Sequence, residues 1–363
     1  MTGTRAVSAV HLIAGSDARS VEPDARLFER ARNLAAEFPD AGLRRVSLVR
    51  AQKLDARARG RVWLALEALQ TTGSFKVRGA LLALDELRRR GVARVVAASA
   101  GNHGAGVAHA ARVLGMEAIV FVPSSTPEKK RKRIEQGATM VLAKSAHYDA
   151  AEREAREFAR ASNLPFVSPY DDPAVVAGNG ASLGFEIASE LGHVPGRVFV
   201  PVGGGGLATG VATALKMGRA DARVFGVQSE ASPAFAMSIE SGRAVETLEL
   251  DVPTLAEGLE GGISQAAFER TRAALNAILV VTEDAIARAM VGIHAAWGHP
   301  VEGSGAAALA PLLDELPPQL HPAKDAEDDV VVLVTGGNVD DDRLAALRAK
   351  LGAGAGDAAA TLW

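Results

Sequence analysis

One lysine stands apart from the other cations of this chain. Thr71–Ala80 reads TTGSFKVRGA, so Lys76 follows small polar residues and an aromatic, Phe75. An amine in such company can attack a carbonyl, or act as a base once its surroundings lower its pKa. Two further stretches could do chemistry. Ser99–Gly104, SAGNHG, and the four glycines Gly203–Gly206 each stand where a strand runs into a helix. Free N–H groups at a helix start, with no side chains in the way, bind phosphate or carboxylate. Gly203–Gly206 is therefore a candidate phosphate cup, and a tight turn is the plainer alternative.

The elements that must position these residues alternate. Val-rich runs at 93–100, 117–125, 139–143, 197–202, 222–230 and 329–337 read as buried strands. Amphipathic or small-residue runs at 104–115, 128–137, 148–162 and 207–218 read as helices between them. Continuous apolar strands separated by helices of about a dozen residues predict parallel βαβ units, hence an α/β protein with two doubly wound parallel sheets. In such sheets ligands collect at the carboxyl ends of strands. A length of 363 residues predicts two domains.

Composition excludes several classes. Net charge is −3, which argues against a general affinity for nucleic acid or anionic membrane. With no cysteine, there is no disulfide, thiolate zinc site, iron–sulfur cluster or thiol nucleophile. The longest uncharged window, Val198–Leu215, contains Pro201 and the four glycines, a poor membrane span. A cytoplasmic protein is the default. The basic run Lys129–Arg133 is read as a solvated helix face, 314–329 as a polar linker, and 352–363 as a loosely ordered tail.

Two rival chemistries share these residues. Gly203, Gly205 and Ala208 fit G-x-G-x-x-A, and Glu230 ends the following strand as a ribose-binding acid would. An NAD(P)-dependent oxidoreductase is thus an alternative. Gly180–Gly184 fits G-x-S-x-G around Ser182, with Asp221 and His294, His299 or His321 downstream. The preceding DDPAVVAGN lacks the strand that a nucleophile elbow needs, so Ser182 is read as a helix-start residue.

Taken in order, TTGSFKVRGA, SAGNHG, GGGGL and TGGNVD (Thr335–Asp340) resemble the fold-type-II pyridoxal-phosphate enzymes, in particular serine/threonine dehydratases and serine racemase. TLAEGLEGG (Thr254–Gly262) and VEGSGAAAL (Val301–Leu309) are similar too, and the resemblance spans Leu43–Asp340. It implies a tryptophan-synthase-β-like fold. A large discontinuous domain would comprise 1–90 and 169–363, and a small mobile domain 91–168, with no regulatory domain after Asp340. It implies that Lys76 joins the pyridoxal 5′-phosphate aldehyde, Phe75 lies against the ring and Asn102 bonds the ring hydroxyl. Gly203, Gly204, Gly205, Gly206 and the Leu207 N–H would hold the phosphate, Thr335 would meet the ring nitrogen, and Gly258 would complete the cofactor site. Ser99, Ala100, Gly101, Asn102 and His103 would clamp the substrate carboxylate.

The implied reaction is β-elimination on threonine or serine, giving a 2-keto acid and ammonia; hydroxyaspartate, another β-substituted amino acid, or racemisation are the related alternatives. Ala100 stands where serine racemase carries a second serine, which disfavours racemisation. The family's divalent-cation site (Mg or Ca) would use Glu230 and the Ala234 carbonyl, but Ala236 occupies the position of the remaining acid. Asn179 replaces a family glutamine, and Arg45–Leu48 departs from the usual entry sequence; both are expected to alter the substrate pocket. The resemblance also implies a homodimer.

Overall fold

The computed structural model describes residues 6–13, 24–248, 252–322 and 328–351. Ten strands build two sheets: β1 (Val7–Leu12), β2 (Leu48–Arg50), β3 (Arg61–Leu66), β4 (Arg94–Ala98), β5 (Glu117–Val122), β6 (Thr139–Leu142), β7 (Arg197–Pro201), β8 (Arg223–Ser229), β9 (Ala277–Val281) and β10 (Asp329–Val334). The large sheet runs β1-β9-β8-β7-β10-β3-β2 and the small one β4-β5-β6. All pairs are parallel except the two edges, β1 on β9 and β2 on β3. The expected tail beyond residue 351 and part of the expected linker lie outside the described residues.

The core strands are apolar because both faces are covered. Val330, Val331, Val332, Leu333 and Val334 of β10 are all fully buried between β7 and β3. Each such side chain contributes about 1.5–3 kcal/mol by leaving water. Helix Lys76–Arg89 follows β3, and Asn102–Leu114 follows β4. Val77, Ala80, Leu81 and Leu84 of the first share one core with Val107, Ala110 and Ala111 of the second and with β4 and β5. Helix Lys76–Arg89 ends at Arg90 and Gly91; Gly91 is left-handed (φ 81°) and its N–H closes the last turn on Arg88 O. Among the described residues, no helix is long and apolar enough to cross a membrane.

Candidate active site

Lys76 is the first residue of its helix, and its approach is tied to the end of β10. Phe75 N–H donates to Thr335 O (3.1 Å), Gly337 N–H to Gly73 O (2.9 Å), and Ser74 bridges Gly336. The Lys76 Nζ donates to Pro169 O (3.2 Å) and lies 5.1 Å from the centre of the Phe75 ring. Burial lowers its pKa to about 8, against the opposing pull of the Glu302 carboxylate.

Two devices fix the helix that carries it. Arg78 is fully buried and forks onto Glu67 (2.8 and 2.9 Å) and Glu186 (2.9 and 2.8 Å), and also donates to Arg44 O (3.1 Å). Asn179, expected in the substrate pocket, instead accepts the Gly79 N–H (2.8 Å), an early amide of that helix with few partners of its own. Asn179 lies within a π-helical turn, Ala177–Ala181. The next residue, Ser182, is buried and donates to Gly178 O (2.6 Å), so G-x-S-x-G forms no exposed nucleophile.

The Ser99–His103 loop closes β4 onto the second helix. Ser99 N–H donates to Phe121 O (3.0 Å) and Gly101 N–H to Ser99 Oγ (3.0 Å), with Ala100 between them. Asn102 is held from both sides: its Nδ2 donates to Glu302 Oε1 (2.6 Å) and its Oδ1 accepts from Asn338 Nδ2 (2.7 Å). One amide N–H of Asn102 remains free for a ligand. Burial raises the Glu302 pKa, against the bond from Asn102 that lowers it. His103 is buried with Nε2 on Val167 O (3.1 Å), which assigns the proton to that nitrogen. Burial and the Lys76 charge push its pKa down to about 3, leaving a neutral ring whose buried Nδ1 has no partner.

The four glycines leave β7 and start helix Gly206–Gly218, with Leu207 in its first turn. Gly205 has φ 81°, and a Cβ there would meet Thr271 Oγ1 at 2.1 Å. A Cβ on Gly204 would lie 2.3 Å from Cγ of Tyr170, whose ring covers the loop. Among the described residues, the N–H groups of Gly203, Gly204 and Gly205 donate to no protein acceptor. Gly258 N–H donates to Ser304 Oγ (2.7 Å), and Thr335 Oγ1 reaches Ser304 O at 3.4 Å. Adjacent residues link the stretches: Pro169 touches Lys76, and Tyr170 touches Gly204 and Gly206.

Lys76, Asn102 and the glycine loop thus converge at the carboxyl ends of parallel strands. Glu302, Asn338, Pro169, Tyr170 and Ser304 join them without having been given a role from sequence; VEGSG and TGGNVD were noticed as motifs, but Tyr170 carried no signal. Glu230 lies elsewhere in use: its Oε1 accepts the Glu283 N–H (3.1 Å) at the start of helix Glu283–Trp297. Ala234 opens helix Ala234–Ser241, and among the described residues no three His, Asp, Glu or Cys side chains gather as a metal cluster.

Residues 40–336 match the family model described as pyridoxal-phosphate dependent enzyme. The chain is 36% identical over 304 residues to an L-threonine ammonia-lyase of Thermotoga maritima, covering 82% of this chain and 72% of the relative. It is 34% identical to a catabolic L-threonine dehydratase of Staphylococcus aureus, covering 82% and 85%. It superposes on the processed threonine deaminase isoform 2 of Solanum lycopersicum with a TM-score of 0.80 at 26% identity, covering 97% of this chain and 100% of that one. The matched residues take in the lysine helix, the asparagine loop and the glycine cup, and the chain belongs to the family of pyridoxal-phosphate-dependent enzymes.

Proposed function

We propose that this chain is an ammonia-lyase that eliminates the β-hydroxyl of threonine or serine as water, after which hydrolysis takes up one water and releases ammonia, leaving a 2-keto acid. The observation that carries the reading is a half-buried amine of lowered pKa, Lys76, beside an unpartnered glycine cup and a doubly anchored asparagine. Relatives named for threonine support the substrate class.

The residues present fit pyridoxal 5′-phosphate. The cup offers free N–H groups to a phosphate, and Ser74 Oγ and His103 Nδ1 are buried without partners nearby. Lys76 would hold the aldehyde, Gly203–Gly206 and Leu207 the phosphate, Asn102 the ring hydroxyl, Thr335 the ring nitrogen and Phe75 the ring face. Gly258 would border the same site through Ser304. When bound, the cofactor supplies an electron sink for the substrate's α-carbon.

The chain's own residues do the rest. Near pH 8 half of the Lys76 side chains are uncharged, so Nζ can take a proton from the substrate's α-carbon. Pro169 O orients that amine. Within the Ser99–His103 loop, the N–H groups of Ala100, Asn102 and His103, which have no protein acceptor among the described residues, are offered to the substrate carboxylate at the helix start. A hydroxyl at Thr335, where a carboxylate would hold the ring nitrogen protonated, favours prompt elimination over long-lived carbanion chemistry. We place residues 91–168 as a mobile body over the site, and the enzyme as a cytoplasmic homodimer; family resemblance alone supports these points.

The test is a keto-acid assay across serine, threonine and hydroxyaspartate in both chiralities. Release from L-threonine or L-serine, lost in Lys76→Ala, is expected; cofactor binding with no keto acid from any of them would refute the reading.

A further inference from the structure

The basic run Lys129–Arg133 is not simply a solvated face. It lies on helix Glu128–Glu135, between β5 and β6 of the small sheet. Lys129 Nζ reaches Asp340 Oδ1 at 2.9 Å, and Lys130 Nζ reaches Glu257 Oε2 at 2.8 Å. Both acids belong to loops on the large-sheet side. Glu257 also pairs with Arg343, whose Nη2 reaches Thr254 O (3.5 Å), so the acid is braced from behind.

These loops border the candidate active site. Glu257 precedes Gly258, which is fixed to Ser304. Asp340 follows two residues after Asn338, which holds Asn102. On its other side the same helix buries Ile134 against Gly104, in the first turn beyond Asn102. The helix therefore bears on the asparagine loop with its apolar face and on both bordering loops with its basic face. Its charges also reach inward: Lys130 and Arg133 act on the half-buried Glu302 carboxylate to lower its pKa, and Glu257 acts to raise it, although desolvation dominates.

We propose that Lys129 and Lys130, with Asp340 and Glu257, form a two-pronged electrostatic clamp that holds the small sheet's body shut over the substrate. The four are positioning residues; none touches a reacting atom. The clamp rests on the reading of this cleft as the active site. Its side chains are partly exposed, Lys129 at 55% and Lys130 at 28%, so salt reaches both pairs. Each pair of this kind shifts an equilibrium by up to about fivefold. The two together would shift closure by roughly tenfold.

The experiment compares holoenzyme of the natural sequence with Lys129→Met/Lys130→Met and with Lys129→Arg/Lys130→Arg, which keeps both charges. Two readouts are taken at about 0.05 M and about 0.5 M NaCl: KM against kcat for threonine, and backbone hydrogen exchange of residues 128–135. In the natural protein, salt should raise KM several-fold with kcat within about twofold, and speed exchange of that helix. The double-Met variant should show the high-salt KM and exchange at both salt levels. The double-Arg variant should keep the natural salt response, and a double-Arg variant that behaves like the double-Met one also overturns the clamp. Equal salt response in the natural and double-Met proteins, in either readout, overturns the clamp. If no hydroxyamino acid is turned over, the functional reading has failed instead, and the exchange measurement alone decides the clamp.

Discussion

The uncharged state of Lys76 can be read directly from the rate at which the apoenzyme takes up pyridoxal phosphate. The perturbation is pH. An ordinary lysine titrates at 10.5, whereas burial brings this one to about 8. At pH ~6.5 about 3% of such amines are neutral, at pH ~8 about half, and at pH ~9.5 nearly all. Between pH ~8 and ~9.5 the reactive fraction therefore grows less than twofold, while that of an exposed lysine grows about thirtyfold. Stopped-flow absorbance after mixing apoenzyme with pyridoxal phosphate gives the rate. The same reaction with N-acetyl-lysine amide, its rate first divided by that amine's own neutral fraction, gives the cofactor's titration, which is then divided out. The corrected rate should climb to about pH 8 and then flatten. A rate that keeps rising tenfold per pH unit beyond 9 would refute the assignment, because the amine would then not be desolvated.

The same burial has a cost in stability. Lys76→Met apoenzyme should melt higher than the natural apoenzyme at pH 7, by up to about 3 kcal/mol, because the folded chain no longer carries a buried ammonium. The depressed pKa fixes the sign: the gain is full below about pH 8 and fades as pH approaches 10.5, which thermal scans across that window will check. Gly204→Ala should weaken pyridoxal-phosphate affinity by roughly tenfold or more, since its Cβ must displace the Tyr170 ring; equilibrium titration of the apoenzyme reads this. Arg78→Met leaves Glu67 and Glu186 facing each other in the interior without their cation, and should lower stability by about 3–5 kcal/mol in urea unfolding. Chelation with EDTA or addition of magnesium should leave the elimination rate unchanged, because Glu230 is engaged at a helix start rather than in a ligand cluster.

Much of the frame was legible because its signals are local. Val-rich runs and intervening helices gave six strands in parallel order, and each of the three chemical stretches sits at a strand-to-helix junction. The edge strands were missed for physical reasons: β2 has three residues, and β1 alternates weakly over six. RVWLAL of β3 runs straight into EALQ, which blurs its period. The site residues that went unseen depend on chain crossings that no window contains. Glu302 reaches Asn102 across 200 residues, and Asn338 reaches it across 236. Lys130 meets Glu257 across 127, so composition alone made the basic run look solvated. The bond that Asn179 accepts from the Gly79 N–H likewise spans 100 residues and leaves no local pattern.

The position of β10 has a consequence for how the molecule is made. This strand lies between β7 and β3, and its exit holds Phe75 through Thr335. In a chain made from its N-terminus, neither β3 nor β7 can find its pairing with β10 until residues near 330 have been made. Fragments ending before that strand therefore lack both the middle of the sheet and the backbone grip on the lysine turn, so the site can be completed only late in synthesis.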